Sequence, residues 1–196
     1  AVINFDGGNV TLTHSSNTLT LADSDVLALG TSSDLQLFHE SGNSFIQNFV
    51  GDLTIRNFND DGDIIFQSDD GSGGVETYFM LDGSFGVTKF PDNKKLAFGS
   101  GLDVQVYHDG TNSYFYNQGG DLYIQNATDN KDIIFQSDDG SGSLTDYFRL
   151  DGSLTATKFS QNAFFIDGKK MMFGSSSDLQ IYHDATDSII DNATGD

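Results

Sequence analysis

The feature that most constrains this chain is a duplication. Residues 34–90 align on 103–159 without a gap, at a shift of 69 and with 32 of 57 positions identical. Its signature is Asp34-Leu-Gln-Leu-Phe-His-Glu40, which returns as Asp103-Val-Gln-Val-Tyr-His-Asp109 and again as Asp178-Leu-Gln-Ile-Tyr-His-Asp184. A period of this length means that one small supersecondary unit is used repeatedly, and such units bury their apolar faces against neighbours rather than in a single compact core. The third copy starts 75 residues after the second, because Phe159 to Lys169 spans six residues more than Phe90 to Lys94. That insert, near 160–166 and built on Asn162-Ala-Phe-Phe-Ile166, reads as a tolerated excursion. The expected organisation is a lead-in over 1–25, one repeat module over 26–98, a second over 99–173 and the truncated start of a third over 174–196. Both ends read as cut: there is no initial Met, and Asn192-Ala-Thr-Gly-Asp196 matches the middle of earlier copies, so a fragment of a longer polypeptide is expected.

Charge narrows the partners. Twenty-nine acidic against nine basic residues give a net charge of −20. Such a chain is repelled by nucleic-acid phosphates and by anionic membranes, which leaves cations, neutral sugars and its own subunits as favoured partners. Cysteine is absent, so neither disulfides nor thiolate metal sites are available. No apolar run approaches the roughly 20 residues of a membrane-spanning helix.

Alternation bounded by Gly, Asn and Asp predicts short strands and little or no helix. Leu35, Leu37 and His39 fall on one face of the first such strand, with Gln36 and Phe38 on the other. Further strands are expected at Ser44–Gln47, Leu53–Arg56, Ile64–Gln67, Tyr78–Leu81, Val87–Phe90 and Leu96–Phe98, and in the lead-in at Asn9–Thr13 and Thr18–Leu21. Comparing copies suggests a core face. Leu53, Ile55, Phe79 and Leu81 become Leu122, Ile124, Phe148 and Leu150, whereas Met80, read as outward, becomes Arg149. Successive core-facing pairs begin at intervals of 8 to 18 residues, so no constant solenoid rung emerges and the repeating unit is a small multi-strand module. A module with such short strands and few large side chains struggles to bury a core alone. Pairing across chains supplies the missing neighbours, and the expected assembly is an all-β, elongated shaft, an intertwined or side-by-side homotrimer.

The run Lys94-Lys-Leu-Ala-Phe-Gly99, then Asp103-Val-Gln-Val-Tyr-His-Asp-Gly-Thr-Asn-Ser-Tyr114, Gly120-Asp-Leu-Tyr-Ile-Gln125 and Asp132-Ile-Ile-Phe-Gln-Ser137, resembles repeats in tail-fibre and related virion proteins of marine bacteriophages, especially those infecting cyanobacteria. The resemblance covers most of residues 26–196, and the lead-in Phe5–Ser15 is similar to strand-rich segments of the same proteins. It implies a virion appendage, outside the cell, in which this region is structural shaft. Its partners would be itself, as a trimer, and other virion proteins. Host surface glycans would be met through regions outside these residues.

Several residues are candidates for chemistry. His39, His108 and His183 recur on the apolar-facing side of their strands; if three chains meet there, their imidazoles could ring an axis and hold a metal, but a packed or hydrogen-bonded histidine explains recurrence as well. Asp69, Asp70, Asp138 and Asp139 sit in Asp-Asp-Gly-Ser-Gly loops that offer oxygen ligands to calcium, and Asx-type turns account for the same residues without metal. No cofactor is otherwise expected. Tyr107, Tyr114, Tyr116 and Tyr123 concentrate in one copy and could stack on sugars, although Phe38 and Phe45 at matching positions favour ordinary strand packing. There is no Gly-x-Ser-x-Gly elbow, phosphate-cradling loop or His-Glu-x-x-His motif, and the expectation is a protein that is not an enzyme. The leading function is a fibre shaft holding a host-recognition domain away from the particle. The alternative is a carbohydrate-binding adhesin module on a virion or bacterial surface.

Overall fold

A computed structural model describes residues 13–15 and 18–193. The chain divides into two compact units, Ala1–Gln118 and Gly119–Asp196. In the first, β1 (Thr13–Ser15) and β2 (Thr18–Thr20) form a hairpin. Three antiparallel meanders follow: β3 (Val26–Leu29), β4 (Leu35–Glu40), β5 (Asn43–Asn48); β6 (Ile64–Asp69), β7 (Val75–Asp82), β8 (Val87–Lys89); and β9 (Leu96–Phe98), β10 (Val104–His108), β11 (Ser113–Asn117). The second unit holds two: β12 (Ile133–Asp138), β13 (Leu144–Asp151), β14 (Ala156–Phe159); and β15 (Lys170–Phe173), β16 (Leu179–His183), β17 (Ser188–Asn192). The described residues are thus all-β and contain no helix. Two meander types alternate, one built on the histidine signature and one on Ile-Ile-Phe-Gln-Ser-Asp.

The signature is explained residue by residue. Gly30, Gly99 and Gly174 take φ of +90°, +83° and +88° and turn the chain so tightly that a Cβ would lie 2.3, 2.2 and 2.4 Å from the carboxylate of Asp34, Asp103 and Asp178. Only glycine meets both demands. Each of those aspartates accepts, on its backbone carbonyl, the amide that ends the third strand: Phe49 at 2.7 Å, Gln118 at 2.8 Å and Ala193 at 2.7 Å. The glutamine two residues on donates back to the turn, to the carbonyls of Ser33, Leu102 and Ser177. The aromatic then stacks across the hairpin, Phe38 on Phe45 and Tyr107 on Tyr114, with centroids 4.9 and 4.8 Å apart. The other meander type carries a longer ladder, Phe66–Phe79–Phe90 and Phe135–Phe148–Phe159. Such cross-strand pairs are what hold a small sheet together.

The second meander type is closed by a strut. Asn57 donates to the carbonyl of Asp63, whose carboxylate receives the Gly83 amide; Asn126, Asp132 and Gly152 repeat the arrangement. A Cβ on Gly83 would meet the Gly62 carbonyl at 2.5 Å, so backbone packs on backbone there.

Three expectations need correction. Leu53–Arg56 is not a strand, nor is its copy Leu122–Gln125: both run without a strand partner. Within the chain the better-covered side of the histidine strands is the glutamine–aromatic side, with Gln105 only 5% exposed, while Leu37, Val106 and Ile181 on the aliphatic side stay open. Met80 and Arg149 do not point freely outward but are half-buried. Arg149 bonds Asp132 at 3.2 Å and also pairs with Asp146. The exchange is coupled, because Thr77 of the first copy becomes Asp146 in the second. The expected strand Asn9–Thr13 lies, except for Thr13, outside the described residues.

No hydrophobic side chain among the described residues is buried. Within each unit, no strand of one sheet touches a strand of another. The chain exposes 15729 Å², whereas a compact monomer of 21.2 kDa exposes about 9,000 Å².

Two substitutions test these local rules. Gly99→Ala should destabilise in urea unfolding by at least ~1 kcal/mol, and by more than Gly51→Ala, which shares a positive φ but has nothing within 4 Å. Arg149→Met and Asp146→Thr should each destabilise the second unit, and the double variant, which restores the first copy's pair, should recover roughly 1 kcal/mol of coupling.

Candidate functional site

In the phenylalanine meanders, the pairings Ile64–Leu81–Thr88 and Ile133–Leu150–Thr157 place one residue from each strand side by side. Strand alternation puts Phe66 and Phe79, or Phe135 and Phe148, on that same face. The result is an apolar surface that the chain leaves uncovered: Leu81 is 44% exposed and Leu150 45%. At its end lies a groove of about 340 Å³ in the first unit and about 390 Å³ in the second. All nine lining positions of one groove, Asn57 to Thr88, are the lining positions of the other shifted by 69. Its polar wall is already satisfied, since Asp82 accepts the Phe85 amide and Asp151 the Ser153 and Leu154 amides. The groove therefore offers apolar contact rather than reactive groups.

Immediately before each groove runs the unpaired stretch, Asp52–Arg56 and Asp121–Gln125. Among the described residues its backbone has no hydrogen-bond partner, while its sequence alternates apolar and polar residues. Leu53, Ile55, Leu122 and Ile124 are 49, 59, 47 and 58% exposed. The alternation that suggested a strand here is not matched by strand pairing among the described residues.

The histidines are not brought together. His39, His108 and His183 each lie in a different meander, with Nδ1 at 3.0, 3.2 and 3.3 Å from the hydroxyl of Ser44, Ser113 and Ser188 directly across the hairpin. Their backbone carbonyls accept the amides of Ser24, Asn93 and Gly168. Among the described residues no group of three or more His, Asp or Glu is arranged to hold a metal.

The acidic loops organise themselves. Asp70 accepts the Ser72 amide at 2.7 Å, the Ser72 hydroxyl at 2.8 Å and the Gly74 amide at 3.0 Å, all on one oxygen. Asp139 does the same with Ser141 and Ser143, while Asp69 and Asp138 accept the amides of Gly71 and Gly140. The hydroxyls of Tyr78 and Tyr147 close the loops by donating to the carbonyls of Asp69 and Asp138. The Ser72 hydroxyl, followed by the backbone donors, holds the Asp70 carboxyl below its usual range, and the Ser141 hydroxyl leads the same effect at Asp139. Backbone amides lower Asp109 and Asp184 in the turns that follow two of the histidines. Because folded values are depressed, the stability these loops confer is complete above the ordinary aspartate range and is lost as pH falls through the folded values.

Tyr107, Tyr114 and Tyr116 share one face of the β10–β11 hairpin, while Tyr123 belongs to the unpaired stretch of the second unit. The Tyr114 hydroxyl donates to Asp109 at 3.0 Å, which raises its own pKa, and Lys95 covers Tyr107 at 4.7 Å. The aromatic ladders and the recurring groove escaped sequence reasoning. The recurrence of Phe66, Phe79 and Phe90 as Phe135, Phe148 and Phe159 could have revealed the ladders once register was known. The chain matches no protein-family model, no curated protein and no solved structure.

A carboxyl titration by NMR should place Asp70 and Asp139 below 3.8, and Ser72→Ala should move Asp70 upward. A midpoint at or above the ordinary value would remove the loop-organising role.

Proposed function

We propose that this chain is a segment of a structural shaft, the stalk of a phage tail fibre or a similar virion appendage, which holds a host-recognition domain away from the particle. The observation that carries this reading is repetition without a core among the described residues: similar modules repeated along the sequence, with apolar side chains left open. The proposed role is structural and non-enzymatic, and the carboxylates Asp82 and Asp151 at the two grooves are engaged in turns. The assembly is a homotrimer, intertwined or side by side, because cyclic symmetry lets identical open faces cover one another. Three chains carry a charge of about −60, so the shaft tolerates low salt poorly and gains from cations. The resemblance of residues 26–196 to fibre repeats of marine phages agrees with this, as does an extracellular or virion location.

One observation favours the second reading, a carbohydrate-binding module. Tyr116 is 45% exposed beside the Tyr107–Tyr114 stack and could receive a sugar ring. The first copy places Gln47 at that position, so only one module would bind.

Negative-stain microscopy of the purified protein tests the shaft directly. The expected image is a thin rod with regularly spaced swellings; rounded particles of single-chain size would contradict it. A glycan array is expected to be blank, and binding lost in Tyr116→Ala would move the assignment to the adhesin.

A further inference from the structure

We propose that Asp52–Arg56 and Asp121–Gln125 are intermolecular strands: each docks on the groove of a second copy of this chain, alongside the open edge of β8 or β14. This rests on the reading of the chain as a self-assembling shaft and assigns the surfaces that assemble it.

Four observations carry the assignment. The first is the hydrogen-bond deficit, since both stretches alternate apolar and polar residues while their backbone groups find no partner among the described residues. An apolar strand with unpaired backbone is a template for strand addition. The second is the receptor. β8 and β14 each pair on one side only, leaving the other edge free, and both line the grooves through Val87 and Thr88, or Ala156 and Thr157. The third is spacing. Each compact unit contains one stretch and one groove, related to those of the other unit by the same shift of 69. An identical chain therefore offers one groove for each stretch. The fourth is area. The roughly 6,600 Å² exposed beyond a compact monomer of this mass exceeds the 2,000–5,000 Å² typical of obligate interfaces.

Charge at the contact sits at the ends of the stretches, in Asp52, Arg56 and Asp121, and in Lys131 at the second groove, while Leu53-Thr-Ile55 and Leu122-Tyr-Ile124 between them carry no ionisable side chain apart from the Tyr123 phenol. The acidic residues at the groove, Asp82 and Asp151, already accept backbone amides. Repulsion between chains arises from the turn tips instead, and salt screens it.

Hydrogen exchange and sedimentation of the whole chain test the proposal together. In the assembled protein one amide of each neighbouring pair, Thr54 or Ile55 and Tyr123 or Ile124, should be protected at least tenfold relative to those of the exposed Asp60–Asp61 turn, since a strand on one edge directs alternate amides at it. The variant Ile55→Lys/Ile124→Lys should keep its far-ultraviolet circular dichroism, because both side chains are more than half exposed in the single chain, and should self-associate at least roughly tenfold more weakly. Val75→Lys, 71% exposed at the opposite end of β7, should associate like the parent. An oligomer in which both amides of each pair, Thr54 with Ile55 and Tyr123 with Ile124, exchange freely, or one equally weakened by Val75→Lys, would overturn this assignment and leave the shaft reading standing. A parent chain that is monomeric at every concentration would remove both.

Discussion

A three-stranded meander can satisfy most of its backbone, but it has nothing of its own to lay against its apolar face. Every other property of this chain depends on that limit. Turns, ladders and struts fix each meander locally, and none of them removes Leu81, Leu150 or Ile124 from water. Stability in proteins comes chiefly from apolar burial set against conformational entropy. Here the entropy of ordering about five small sheets is met by aromatic stacking and hydrogen bonds alone, contributions of a few tenths to about one kcal/mol each. On the proposed reading, neighbouring chains supply that burial at every module.

The polar residues then serve shape. Glycine at positions 30, 99 and 174 and aspartate four residues later form one device, a turn whose carboxylate occupies the space a side chain would need. The Asp-Asp-Gly-Ser-Gly loops are a second, in which carboxylates fold their own loop by collecting amides and a serine hydroxyl. This explains how a chain of such acidity repeats its acidic positions faithfully: the charges are used as acceptors in place. It also separates the roles of acid. Protonation weakens the loops, while it relieves repulsion between chains.

Much of this was legible in the sequence. The shift of 69 gave the module, alternation gave most strands, and turn chemistry gave their ends. Leu53–Arg56 reads as a strand because it has a strand's alternation, but among the described residues it has no strand partner. The inward assignment failed for a related reason: with no core inside the chain, the covered face was decided by Gln105 bonding the Leu102 carbonyl and by ring stacking rather than by aliphatic residues. Arg149 shows the limit of comparing copies one position at a time, since its partner Asp146 changed with it. The candidate histidines and aspartates were found readily, yet their serine and amide partners depend on hairpin register, which composition does not reveal.

The central claim is that the folded state of this chain draws its stability from other copies of itself. Thermal unfolding followed across a hundredfold range of protein concentration tests it most directly, because a state stabilised by association melts at a temperature that rises with concentration. The account predicts that rise, together with a single transition in which secondary structure and assembly are lost together. A cooperative transition at a temperature independent of concentration, from a species of 21.2 kDa, would contradict it.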